Sequence, residues 1–288
     1  MRTIVWRWAP LAALVLALCA PTTASAKQVK YMEDPTLFGT LDQAITNCPN
    51  VNCGPTAAVN SFVYLQNAFP NTYTKPLVST VNGKKPSAAE QKAVANNLGT
   101  NYMKNCCATS AEGTKIGDFI LGKMDYIEAQ DPGATTYAAQ TPATWANVIP
   151  KHPGAPKPGY VQDKTIPTLG FIAAQLKAQE DVEILLDNDK GTLHYLTLTG
   201  INYDDVTNMG TFYYVDPLGG GRNNSKILGI GGDMFIQTDY KLAGINSDIA
   251  GVVAESPIPE PGTWLLLGVG MAFLGPLLRG RRASALRT

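Results

Sequence analysis

Cys53, His194 and Asp216 are the residues of this 288-residue chain whose types and spacing suit covalent chemistry. Cys53 lies near the start of "NCGPTAAVNSFVYLQ", where Pro55 suits a first helical position because its missing N–H costs nothing there. A thiol at a helix start meets unpaired N–H groups and the positive end of the helix dipole, and both favour the thiolate. His194 belongs to a β-branched and aromatic stretch, 193–201, and Asp216 follows a second one, 211–215. An antiparallel pairing centred near Asp205, in the turn-rich "NYDDVTNMG", sets His194 opposite Asp216. Facing residues stand roughly 5 Å apart at Cβ, and a slip or bulge still leaves them neighbours. The carboxylate would fix the ring's tautomer, and the imidazolium would pair with the Cys53 thiolate. Attack on a carbonyl would leave an oxyanion near the Cys53 backbone N–H, with Gly54 giving the substrate room. Each residue also has a plainer reading: a disulfide for Cys53, a satisfied core histidine for His194, a turn before Pro217 for Asp216.

The elements that must hold these residues are legible in outline. The spacing of Ala58, Phe62 and Leu65 predicts a helix from Gly54 to about Ala68. "SAAEQKAVANNLG" predicts another, with Ser87 as N-cap, Glu90 completing a capping box and Gly99 as its stop. "KIGDFILGKMDYI" and "TLGFIAAQLKAQ" are two more amphipathic segments. Strands are expected at 182–186, 193–201 and 211–215. Residues 70–86 read as loop, and 131–168, rich in Pro, Gly, Thr and Ala, as a surface excursion. "GGGRNNS" and "LGIGGD" lack a phosphate-binding setting and read as turns, while "DNDKG" starts like a calcium loop and does not continue as one. Helices followed by an antiparallel meander imply an α+β fold, with N-terminal helices packed on a sheet that carries His194 and Asp216.

The two ends differ from the middle. Residues 1–26 have the order of a secretory signal peptide: Arg2 and Arg7, an apolar run, then Ala24-Ser25-Ala26. From 257 to 288, Pro259-Glu260-Pro261, an apolar stretch at 263–278 and an Arg-rich end closely resemble the PEP-CTERM sorting signal. That resemblance implies a Gram-negative bacterium, passing anchorage in the inner membrane, and an exosortase partner that leaves the chain secreted or at the cell surface. Residues 27–256 form the expected functional domain. Between 27 and 259 there are 17 basic and 22 acidic residues, net −5, with Arg222 the only arginine. No basic patch exists to neutralise phosphates, so a nucleic-acid partner is not expected. Outside the signal the cysteines are Cys48, Cys53, Cys106 and Cys107, an even count that in an exported chain suggests disulfides. Adjacent Cys106 and Cys107 rarely bridge each other, so pairing of one with Cys48 leaves a thiol over. No Cys–His set suits zinc.

"NCGPTAAVNSFVYLQ" resembles the nucleophile helix of papain-like cysteine peptidases, especially the bacteriocin-processing (double-glycine leader) peptidase-like branch. "LHYLTLTGINYDD" and "GTFYYVDP" are similar to that branch's histidine strand and the strand after it, and the order Cys, His, Asp agrees. The resemblance spans about 41–220 and implies a papain-like fold with Cys53 as nucleophile, His194 as acid and base, and Asp216 as orienting residue. The family usually places an oxyanion-hole Gln about six residues before the cysteine. Position 47 is Asn47, and Gln43 is the nearest glutamine, so either amide is a candidate. The expected function is hydrolysis of a peptide or protein substrate with no metal or organic cofactor. The alternatives are an amidase, transpeptidase or acyltransferase acting on surface or cell-wall peptides, and a non-catalytic matrix protein with Cys53 in a bridge.

Overall fold

A computed structural model describes residues 26–80, 85–103, 113–142 and 160–258. The expected signal peptide, the tail beyond 258, and Cys106 and Cys107 lie outside the described residues. Helices form where apolar spacing and caps agree: α1 Cys53–Ala68, α2 Ala88–Asn97, α3 Ile116–Gln130 and α4 Leu169–Lys177. Ser87 accepts the Glu90 N–H while the Glu90 carboxylate accepts the Ser87 N–H at 2.6 Å, so the capping box ahead of α2 is complete. Gly99 does not stop that segment, because the chain runs on through a π turn at Leu98–Tyr102.

Strands account for most of the rest. They are β1 Gln28–Met32, β2 Thr135–Gln140, β3 Tyr160–Asp163, β4 Asp181–Asp187, β5 Leu193–Asp204, β6 Gly210–Asp216, β7 Gly221–Ile230, β8 Ile236–Leu242 and β9 Ile245–Pro257. From β4 to β9 each strand is antiparallel to the next, and β4 also pairs with β9, so the six close into a barrel. β1 continues the sheet along the far half of β5, β2 along the far half of β9, and short β3 lies parallel to β2. This overturns the expected papain-like α+β fold: the architecture is a closed antiparallel six-stranded barrel with added strands and few helices. The physical cause is closure, which in β7 and β8 buries residues only at alternating positions and leaves polar and glycine-rich faces that read locally as turns. Part of 131–168 is likewise sheet, as β2 and β3, rather than surface excursion.

Two apolar clusters result. One fills the barrel, with Leu186, Leu196, Phe212, Ile227, Ile236 and Ile249 drawn from all six ring strands and α4 covering them through Leu169, Ile172 and Leu176. The other lies outside the wall, where α1 and α3 pack on Leu185, Tyr195, Val215 and Val253. α1 is buried on every face from Cys53 to Gln66, which explains its small residues Gly54, Ala57, Ala58 and Ser61. The Thr197 hydroxyl donates to the Ala57 carbonyl at 2.8 Å and fixes α1 along β5. The start of α1 is thereby held beside the first residues of β5.

Candidate active site

Cys53 opens α1, and its thiol is free and buried, 8% exposed. Cys48 is disulfide-bonded while Cys53 is free, so the two do not bridge each other. Burial opposes ionisation of the Cys53 thiol. The hydrogen bond and charge of His194, with the N–H groups of Tyr195 and Gly54, outweigh it and hold the thiol below its ordinary range.

His194 sits on β5, 4% exposed, with Nε2 2.8 Å from Asp216 Oδ1. That contact occupies one ring nitrogen and leaves Nδ1 for the hydrogen bond to Cys53. Burial alone would lower this imidazole, but Asp216 and Cys53 pull it up to about 9. Both shifts favour a thiolate paired with an imidazolium. The Asp216 carboxylate, 7% exposed, also accepts the Leu218 N–H on Oδ1 at 2.8 Å and the Tyr240 hydroxyl on Oδ2 at 2.9 Å.

The expected register is corrected in one respect. Thr197 pairs with Val215 and Leu198 with Tyr214, then the ladder shifts at a bulge before Gly200. Continued toward the site, that ladder faces Asp216 with Leu196, so His194 and Asp216 form a diagonal pair on one face rather than a direct one. Both share the inward parity of Leu196, Leu198, Phe212 and Tyr214 and stand at the barrel's rim, where α1 delivers Cys53 from outside. Gly54 does not make room for substrate: a Cβ there would lie 2.8 Å from Thr114 Oγ1 and 3.3 Å from the Phe119 ring, so its space is taken by packing.

The two amide candidates separate. Gln43 is 5% exposed, and its backbone N–H donates to the carbonyl of Pro217, next to Asp216, at 2.8 Å. Asn47 is exposed, and its N–H is held by Asn96 Oδ1 at 2.9 Å. Tyr240, which bonds Asp216 and lies against the His194 ring, was not visible to sequence reasoning because no local pattern around "QTDYKL" pointed to the site. Among the described residues, Asp181, Glu183 and Glu255 and, separately, Asp189, Asp233 and Asp248 have metal-like spacing. The first set surrounds the Lys123 ammonium, and neither includes a residue of this site.

Residues 257–282 match the PEP-CTERM protein-sorting motif. Such a motif implies processing by an exosortase and an exported, cell-surface protein in bacteria. Comparison with curated proteins gives no match, and neither comparison supports the peptidase resemblance of 41–220. Among the described residues no helix is long and apolar enough to cross a membrane, and the apolar stretch at 263–278 lies outside them.

Proposed function

We propose that the chain is an exported cysteine-dependent hydrolase of peptide bonds, with Cys53 as nucleophile, His194 as acid and base and Asp216 as the residue that orients the ring. The observation that carries this reading is a free thiol at a helix start, hydrogen-bonded to an imidazole whose other nitrogen is 2.8 Å from a carboxylate. The Cys53 thiolate adds to the carbonyl carbon, and the carbonyl oxygen becomes an oxyanion facing the first N–H groups of α1. As the C–N bond breaks, His194 passes its Nδ1 proton to the leaving amine and a thioester remains. Water then gives a proton back to Nδ1, its oxygen adds to the thioester, and the thiolate departs with the acid released. On the same reading, the apolar stretch at 263–278 lodges briefly in the inner membrane before an exosortase cuts near Pro259-Glu260-Pro261.

An epoxide-type thiolate trap tests the site on the natural chain, Cys53→Ala and His194→Ala. Labelling should be confined to Cys53 and slow by roughly 10²-fold without His194, and peptide hydrolysis should decline above about pH 9 as the imidazolium loses its proton. Labelling that ignores His194, or that falls on Cys106 or Cys107, overturns the assignment.

A further inference from the structure

We propose that Tyr240 is a positioning residue of this site: its hydroxyl fixes the Asp216 rotamer that accepts the His194 Nε2–H hydrogen bond, and its ring covers the imidazole. The inference rests on the hydrolase reading above and deepens it. The Tyr240 hydroxyl donates to Asp216 Oδ2 at 2.9 Å, which leaves Oδ1 for His194 and the Leu218 N–H. The two rings lie nearly parallel, 5.9 Å apart at 19°. Tyr214 packs edge-on against Tyr240 at 5.8 Å, and its own hydroxyl meets Ser225 Oγ at 3.0 Å.

The backbone is built to hold this ring. β8 pairs Gln237 with Asp248 and then Lys241 with Asn246, so residues 238–240 oppose Ser247 alone. Extra residues on one strand make a bulge, a device that bends a strand and re-aims a side chain. Here the bulge is pinned from both sides. Ser247 Oγ donates to the Tyr240 carbonyl at 3.1 Å, and Thr238 Oγ1 donates to the Ser247 carbonyl at 2.8 Å. A regular strand could have carried a tyrosine without these bonds.

The titratable groups facing the imidazole are Cys53 from α1, Asp216 from β6 and Tyr240 from β8; Tyr214 of β6, which feels the Asp216 and Asp239 charges, packs on Tyr240. Burial and the Asp216 charge push the Tyr240 phenol well above its ordinary value, so it stays a neutral donor wherever the thiolate–imidazolium pair exists. Tyr240 touches no reacting atom and acts only through Asp216 and His194.

The test follows iodoacetamide alkylation of Cys53 against pH in the full chain, with Tyr240→Phe, Asp216→Asn, the double variant and His194→Ala. Tyr240→Phe keeps the ring and loses the hydroxyl. It should raise the acid limb of the profile by about one pH unit, and the double variant should do no more than Asp216→Asn alone. The thermal midpoint of Tyr240→Phe should stay within a few degrees of the natural chain, since a merely structural role would move it and leave the limb in place. A Tyr240→Phe limb that overlies the natural one, or effects that add in the double variant, overturns the proposal. If the natural profile is itself unchanged by His194→Ala, the hydrolase reading fails and the Tyr240 role falls with it.

Discussion

At the residue scale, an oxyanion needs a donor beyond the helix N–H groups, and the chain offers two side-chain amides. Gln43 Nε2 donates one hydrogen to the Pro49 carbonyl at 2.6 Å and has a second to give. The segment that carries it is stitched to the chain just after Asp216. Gln43 N–H donates to the Pro217 carbonyl at 2.8 Å, and Gly219 N–H donates to Asp42 Oδ1 at 3.2 Å. Gly220, at φ +61, lies so close that a Cβ would run into the Thr40 carbonyl. Asn47 is exposed and stands next to the disulfide-bonded Cys48. We therefore expect Gln43→Ala to lower kcat about 10²-fold with little change in KM, and Asn47→Ala to stay within about twofold, in steady-state peptide hydrolysis. The reverse order would return the role to Asn47. Spacing from the cysteine could not separate the two, because it counts residues and does not see which way the turn between them faces.

At the element scale, the site depends on how closely α1 lies against its neighbours. Gly54 sits where a Cβ would stand 2.8 Å from Thr114 Oγ1, 2.9 Å from Thr114 Cβ and 3.3 Å from Phe119. Gly54→Ala should then force the first turn of α1 away, costing about 1–3 kcal/mol and slowing Cys53 alkylation. A thermal midpoint and alkylation rate both equal to the natural chain's would show that the contact can yield. Helices such as α1 and α2 were legible because their signals are local: a proline at the start, a capping box, apolar residues at helical spacing. The hairpin of β5 and β6 was legible for the same reason, and it brought His194 near Asp216 despite the diagonal register. β7 was not legible, since Arg222, Asn223, Asn224, Lys226 and Leu228 are exposed and only Ser225 and Ile227 are buried. The pairing of β4 with β9 closes the barrel between segments far apart in the chain, and no local pattern encodes that contact. Tyr240 was lost with β8, because its place depends on a bulge defined by its partner strand.

At the scale of the whole molecule, helices and barrel are joined by charges that no solvent reaches. Lys123 of α3 is fully buried, its Nζ 2.5 Å from Glu183 on β4, 2.5 Å from Glu255 on β9 and 3.3 Å from Asp181, with the rings of Phe62 and Phe119 beside it. Ser61 of α1 donates to Asp181, so both helices meet the wall at this point. One ammonium cannot offset three buried carboxylates. Burial, reinforced by the Asp181 charge, pushes Glu183 up to about 7 even against Lys123, and burial raises Glu255 well above its ordinary value. The folded chain therefore keeps protons that the unfolded chain releases near pH 4.5, the ordinary glutamate value. The sign follows from linkage: where the native state binds more protons, stability falls as pH rises. His194 does not alter that trend, since its contribution is complete below pH 6.5 and is lost only toward about 9. Thermal unfolding of the exported chain should thus show its midpoint dropping between about pH 5 and 7, on the order of 1–3 kcal/mol in stability. Glu183→Gln, which keeps a polar partner for Lys123 without the titration, should flatten that slope. An unchanged slope in Glu183→Gln would place the retained protons elsewhere, and a midpoint that rises with pH would mean that Lys123 holds Glu183 and Glu255 ionised.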